Sequence, residues 1–324
     1  MKLLRIVLCV LTVVFFTACD RKESKTINMA KADWDTGFFH AEIYKTGLEK
    51  LGYNIPKVKS VKPGVFYVAA AAGDLDLWVN GWVKTQATYI DAAKGKVIPV
   101  GYVVKQGGLQ GYLIDKKSAD KFNIKSVLDI KKHAKAFDAN NDGKADMVAC
   151  PPGWGCEKVI SGHFNELKLG EFINPIKAEY SASLADAISR YKNGGSILFY
   201  TWAPNWIFGE LKLGEDVVWI EVPSSKTTVV EAKNATKAKI NHGFSVDDIR
   251  AAGNKDFLEK NPKVKKFLEA ASIPLADISA QNLKMLKSEK SEADVKRHAQ
   301  EWIKANQSTF DGWVEKAKKK KKLE

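Results

Sequence analysis

The chain is poor in the residues that most enzymes work with. Its 324 residues include only four Cys, four Met and five His. The histidines, His40, His133, His163, His242 and His298, are scattered, and His163 reads as a residue on a helix face. There is no Gly-x-Ser-x-Gly, no His-Glu-x-x-His and no phosphate-binding Gly-x4-Gly-Lys-Ser/Thr. The common hydrolase, metalloprotease and nucleotide-hydrolase signatures are therefore missing, and the chain is expected not to be an enzyme. The Cys150-x5-Cys156 spacing does not fit a Cys-x-x-Cys redox motif, and no second pair completes a zinc site. Internal repeats are absent, and past the N-terminus no apolar run is long enough to cross a bilayer. No nucleic-acid-binding module is recognisable, so nucleic acid is not an expected partner.

The two ends are distinctive. Met1-Lys-Leu-Leu-Arg5 is basic, an apolar run from Ile6 to Phe16 follows, and Thr17-Ala18-Cys19 comes next. This reads as a signal peptide over residues 1–18, too short to span a membrane as a mature helix. Phe16-Thr-Ala-Cys19 resembles a bacterial lipobox with Phe where Leu is usual, so Cys19 is the expected lipidation site. Residues 19–25 would then be a polar tether to the cell envelope. The formal charge is +13, but removal of Lys2, Arg5 and the five lysines 318–322 leaves +6. Residues 318–324 read as a solvated, disordered tail.

Between these ends lie about 300 residues, of a chain 45% hydrophobic, enough for a large core in two lobes. Strand-like and helix-like segments alternate. Thr26–Ala30 is followed by a helical pattern with Phe39, Ile43 and Leu48 on one face. Val58–Val61 and Asp76–Asn80 read as strands, and Val65–Ala72, Thr85–Ala93, Asp120–Ala136 and Ala182–Lys192 as helices. The stretch Val246–Ala317 reads as almost all helical, punctuated by Pro262 and Pro274. The alternation predicts an α/β fold with a largely parallel sheet. The Gly-rich Gln106–Gly111 and the polar Ser224–Ile240 are candidate crossings between lobes.

With Cys9 in the signal and Cys19 lipidated, the folded part keeps only Cys150 and Cys156, an expected disulfide in an oxidising compartment. They close the loop Cys150-Pro-Pro-Gly-Trp154-Gly-Cys156 around one tryptophan. Glycine lets a backbone approach closely. An amphipathic helix with Val159, Ile160, Phe164 and Leu167 follows, so the N–H groups of Gly155 and Cys156 would stand free at its N-terminus and attract an anion. An aromatic face for a cation beside donors for a carboxylate implies a small zwitterionic ligand. The plainer alternative is a stapled surface turn with a packing tryptophan. Asp138-Ala-Asn140-Asn-Asp142-Gly143 opens like a calcium loop, but Ala149 stands where the bidentate Glu belongs. An Asx-turn loop is the expectation there, with no metal and no cofactor.

The same loop carries a resemblance. Cys-x-Pro-Gly-Trp-Gly-Cys-Glu is similar to the ligand loop of periplasmic glycine-betaine/proline-betaine-binding proteins of ABC importers. Similar echoes occur at Gly111-Tyr-Leu-Ile-Asp-Lys-Lys117, Ile188-Ser-Arg-Tyr-Lys192, Tyr200-Thr-Trp-Ala-Pro-Asn-Trp206 and Phe310-Asp-Gly-Trp313. The resemblance implies a two-lobed periplasmic-binding-protein fold, type II-like, with ligand in the cleft. It places lobe 1 at residues 26–105 and 230–317 and lobe 2 at 106–229. It implies a cage of Trp82, Trp154 and Trp202 around a methylated ammonium, with Gly155 and Cys156 facing the carboxylate. Each ring contributes ~0.5–2 kcal/mol to such a cation. Trp78 and Trp206 are the substitutes if the wrong member of a pair is named, while Trp302 and Trp313 read as packing residues. Family members can carry His four residues beyond the first cage Trp. Here Gln86 stands there, a neutral donor in place of a chargeable one. The implied function is capture of glycine betaine or proline betaine for an ABC permease, in osmoprotection. The rivals are a relative tuned to choline or carnitine, an exported enzyme, and a structural envelope lipoprotein.

Overall fold

The structure is a computed structural model that describes residues 25–223 and 240–319. The signal peptide, Cys19, nearly all of the tether, residues 320–324 of the tail and most of the polar stretch Ser224–Ile240 lie outside the described residues.

The chain opens with β1 (Met29–Ala32), α1 (Phe38–Lys50), β2 (Lys59–Val61), α2 (Pro63–Ala72), β3 (Leu77–Trp82) and α3 (Ala87–Ala92). Pro63 sits in the first turn of α2, where its missing N–H costs nothing, and Gly73 ends the helix in the left-handed region at φ 92°. Then comes β4 (Val97–Asp115), long enough to belong to two sheets in turn. Its last residue, Asp115, caps α4 (Lys116–Phe122) by accepting from Ser118 N–H at 2.8 Å. The chain continues through α5 (Ile130–Phe137), β5 (Ala145–Val148), α6 (Gly155–Glu166), β6 (Ile173–Ile176) and α7 (Tyr180–Lys192). Next are β7 (Leu198–Ala203), α8 (Ile207–Glu210) and β8 (Val217–Ile220). After the return crossing come β9 (Asp247–Asn254) and helices α9 (Lys255–Lys260), α10 (Pro262–Ala270), α11 (Leu275–Leu286), α12 (Glu292–Ala305) and α13 (Gln307–Lys318).

The strands follow the order β2-β1-β3-β9-β4-β7-β5-β6, with β8 also on β4. Pairing of β4 with β9 ends at Gly108, opposite Asp247, and pairing with β7 starts at Leu109, opposite Ala203. The Gly-rich stretch is thus where one strand passes from the first lobe's sheet into the second's. Two register shifts and a left-handed Gln106 (φ 49°) mark the passage. Gly101, also left-handed at φ 59°, lies against the Leu268 carbonyl, where an added Cβ would sit 1.8 Å from the oxygen. On the far side, Val222 N–H donates to Asn241 O at 2.8 Å, and His242 stacks on Trp219 at 4.9 Å.

Three expectations about local structure are corrected. The sheet is mixed: β1–β2, β1–β3, β5–β6 and β5–β7 are parallel, but β4 and β9 make every one of their pairs antiparallel. The region after Val246 is not all helical, because β9 lies between β3 and β4 at the middle of a sheet. Its sequence, Asp-Asp-Ile-Arg-Ala-Ala-Gly-Asn, has few strand-forming residues. Neighbours on both sides satisfy its backbone, and that tertiary pairing outweighs propensity. The helix expected over Asp120–Ala136 is broken, since α4 ends at left-handed Asn123 (φ 52°) and a Ser126–Asp129 capping box restarts the chain before α5.

The first lobe's core is aromatic. Phe267 lies directly over Gly47 of α1, which has no Cβ to obstruct it, and meets Tyr44 at 5.8 Å. Trp302 and Trp313 stack on each other at 5.8 Å in the terminal helices, packed on Phe39 and Phe267.

Candidate functional site

Four tryptophans converge where strands end. Trp34 follows β1, Trp82 is the last residue of β3, Trp202 lies near the end of β7, and Trp154 precedes α6 just after β5. Carboxyl ends of strands are where open α/β sheets leave a crevice. Here the two lobes bring their crevices face to face. The shared cavity holds about 320 Å³ of space, mouth included, and its walls include Trp34, Trp82, Trp154, Trp202 and Tyr200. Trp154 is central: its ring lies 5.0 Å from Trp34 and 5.7 Å from Trp202, both edge-on. Tyr180 supports the group from behind, 4.8 Å from Trp202.

Polar atoms hold these rings in place. Trp82 Nε1–H donates to Asn80 Oδ1 at 2.8 Å, and Trp202 Nε1–H to Thr36 Oγ1 at 3.3 Å, a bond from the second lobe to the first. Gly108 of β4 lies beneath the Trp82 ring, where a Cβ would fall 2.6 Å from Cζ3. Fixed rings suit a cation that cannot donate hydrogen bonds, since little side-chain entropy is lost when it arrives.

The rest of the lining is polar but uncharged. Thr85, Gln86, Gln110, Gly155 and Cys156 make it up, and no described residue lining the cavity is Lys or Arg. Cys150 and Cys156 are disulfide-bonded, with Cα atoms 6.0 Å apart. Gly153 turns the loop at φ 91°, a conformation that favours glycine. Gly155 and Cys156 are the first two residues of α6, so their N–H groups have no acceptor within the helix. The loop is gripped by the first lobe: Lys62 Nζ donates to Pro152 O at 2.9 Å and Tyr89 OH to Gly153 O at 3.4 Å. Gly155 presses on the first lobe itself, because a Cβ there would lie 2.6 Å from the Thr85 carbonyl oxygen.

A buried relay links this wall to β9, β4 and β7. Asp247, fully buried at the start of β9, accepts from Lys84 N–H (2.9 Å), Thr85 N–H (2.8 Å) and Thr85 Oγ1–H (2.7 Å). Gln110 Nε2 donates to Thr85 Oγ1 at 2.6 Å, and Tyr200 OH donates to Gln110 Oε1 at 2.7 Å. Burial pushes the Asp247 carboxyl up to about 6 despite its three donors.

The residues singled out from sequence are brought together: Trp82, Trp154, Trp202, Gly155, Cys156 and Gln86 all line this one cavity. Trp78 and Trp206 do not line it. Trp78 is wholly buried behind it, packed on Phe66 at 5.1 Å and Trp34 at 5.8 Å. His163 sits on α6 but is buried, bonded to Tyr112 OH at 2.9 Å and Gly243 O at 3.0 Å. Burial pushes its imidazole down to about 4. In the Asp138–Asp146 loop the Asp138 carboxylate is taken up by the N–H groups of Asn141, Asp142 and Gly143, the Asx-turn arrangement.

Trp34, Tyr200, Thr85 and Gln110 were missed in the sequence. Trp34 follows a strand, as Trp82 ends one. Tyr200 is two residues before Trp202 on one strand, hence on the same face. Nothing local marks Thr85 or Gln110, whose partners are distant in the chain.

Residues 25–305 match the family described as the substrate-binding domain of ABC-type glycine betaine transport systems. The glycine betaine-binding periplasmic protein of Dickeya dadantii is 41% identical over 286 residues, 86% of each chain. The glycine betaine/proline betaine-binding periplasmic protein of Escherichia coli K12 is 40% identical over 299 residues, 90% of each. A lactococcal binding protein, crystallised closed with glycine betaine, shares the fold at TM-score 0.69 and 18% identity, covering 89% of this chain and 99% of that one.

Proposed function

Because this chain belongs to the family of substrate-binding domains of ABC-type glycine betaine transport systems, we propose that its cleft captures glycine betaine for delivery to an ABC permease. It is a periplasmic binding protein and not an enzyme, as its relatives are. In this reading the trimethylammonium sits among Trp82, Trp154 and Trp202, and the carboxylate meets the N–H groups of Gly155 and Cys156 and the Gln86 amide. The observation that carries it is the pairing of an aromatic enclosure with an uncharged donor wall in one cavity. A cage alone would accept any quaternary amine, and a donor wall alone any carboxylate. Trp34 and Tyr200 extend the cage. Choline and carnitine are less favoured, because the relatives near 40% identity are named for glycine betaine or proline betaine.

We assign lobe 1 to residues 26–105 and 230–317 and lobe 2 to 106–229, with Asn241, His242 and Phe244 of the return crossing packed on Val222, Trp219 and Tyr112 of lobe 2. Anchoring through a lipid on Cys19 completes the proposal and rests on the lipobox-like Phe16-Thr-Ala-Cys19. Mass spectrometry of the native N-terminus decides that point, and an unmodified Cys19 contradicts it. For the ligand, a calorimetric screen of glycine betaine, proline betaine, choline, carnitine and proline is the test. Tightest binding of a betaine is expected, and preference for choline would contradict the assignment.

A further inference from the structure

We propose that Tyr67 is a positioning residue of the anion subsite, holding the Gln86 side-chain amide so that its nitrogen, and not its oxygen, faces the ligand. The inference rests on the proposed reading of the cleft as a betaine site.

Gln86 is 2% exposed, lines the cavity, and stands at the N-cap position of α3, yet its side chain does not cap that helix. Its backbone N–H is spent on Trp82 O at 2.8 Å, which pins the residue beside the cage. Across the cleft wall, Tyr67 OH donates to Gln86 Oε1 at 3.1 Å. With the oxygen occupied, the two amide hydrogens are left for the cavity, since Nε2 donates to no acceptor among the described residues. Tyr67 itself is 2% exposed, set between Phe66 at 5.3 Å and a stacked Tyr89 at 6.3 Å. Burial raises its phenol above the ordinary value, so it remains a neutral donor.

An amide has two ends of nearly equal size and opposite polarity. Turned the other way, Gln86 would point a carbonyl oxygen at a carboxylate, replacing attraction with repulsion. Tyr67 therefore sets the sign of the contact while touching no ligand atom. Three neutral donors, Gly155 N–H, Cys156 N–H and Gln86 Nε2, would then face the anionic end.

The test is a double-mutant cycle read by calorimetric titration of glycine betaine on wild type, Tyr67→Phe, Gln86→Leu and the double variant. Tyr67→Phe removes one hydroxyl and is expected to weaken binding about 3- to 10-fold. In the Gln86→Leu background the same change is expected to cost less than about 1.5-fold, because there is no amide left to orient. A structural role alone would produce the same loss in both backgrounds. The proposal is overturned if Tyr67→Phe changes wild-type affinity by less than about twofold, or if at least half of its logarithmic effect persists without Gln86. Failure of the wild-type protein to bind glycine betaine would instead remove the betaine reading.

Discussion

Replacing Gly155 with Ala would separate the stability of the fold from the closing of the cleft. Its Cβ would lie 2.6 Å from Thr85 O and 3.0 Å from Thr85 C and Cγ2, whereas ordinary contacts begin at 3.4 Å. Two of those three atoms are backbone, so no side-chain rotation relieves the clash. The second lobe must back away by nearly an ångström, and overpacking of this kind costs about 1–3 kcal/mol. The cost falls on the arrangement in which α6 meets the first lobe. Glycine betaine affinity is therefore expected to fall roughly 5- to 150-fold. Within the second lobe the change is mild, because Ala at the start of a helix is favoured over Gly by up to ~1 kcal/mol. Calorimetric titration and urea denaturation without ligand read the two effects separately. Affinity within twofold of wild type would refute the claim that this contact belongs to the bound state. A large loss of unliganded stability would show instead that Gly155 serves folding.

Two further outcomes concern stability. Burial holds the imidazoles of His40, His163 and His242 down at about 4, so they favour the folded state above the ordinary value of 6.5 and withdraw that support as pH falls toward 4. Asp247, pushed up to about 6, acts in the opposite sense: it favours the folded state at low pH and loses that effect as pH rises through 6. Burial also raises the carboxyls of Asp33, Asp35 and Asp76, which act with Asp247, so the histidine contribution is read by difference: His40→Gln should lessen the fall in urea midpoint between pH 7 and 4.5, and an unchanged fall would contradict neutral burial of that imidazole. Replacing Cys150 and Cys156 together with Ser should cost ~2 kcal/mol by loop entropy and weaken glycine betaine binding by loosening Trp154, whereas two free thiols by alkylation and mass in the oxidised native protein would remove the bond altogether.

How far the sequence reaches can be judged residue by residue. The Cys150–Cys156 loop and its helix are local, and their spacing points to the disulfide, the free N–H groups and the tryptophan between them at once. Trp82 and Trp202 are named through the family resemblance, and each stands at the end of a short apolar run. Gly155 is legible as a point of close approach, but the neighbour pressing on it is the Thr85 carbonyl, 70 residues away in the chain. The Asp247–Thr85 bonds span 162 residues and join side chains without any shared local pattern. The β9 strand is hidden for a related reason: its small and acidic residues are set extended by β3 and β4, not by themselves. What is invisible is what depends on pairing between distant segments, here the joint between the lobes.

The central claim is that a tryptophan cage, and not the aromatic content of the protein at large, binds the ammonium group. Titration of glycine betaine against wild type, Trp154→Ala and Trp302→Phe tests it most directly. Trp154 lines the cavity between Trp34 and Trp202, while Trp302 is stacked on Trp313 among the terminal helices. Loss of Trp154 should cost at least ~1–2 kcal/mol, roughly 5- to 30-fold in affinity, and Trp302→Phe should leave affinity nearly unchanged. Equal affinities for all three proteins would contradict the cage and the function built on it.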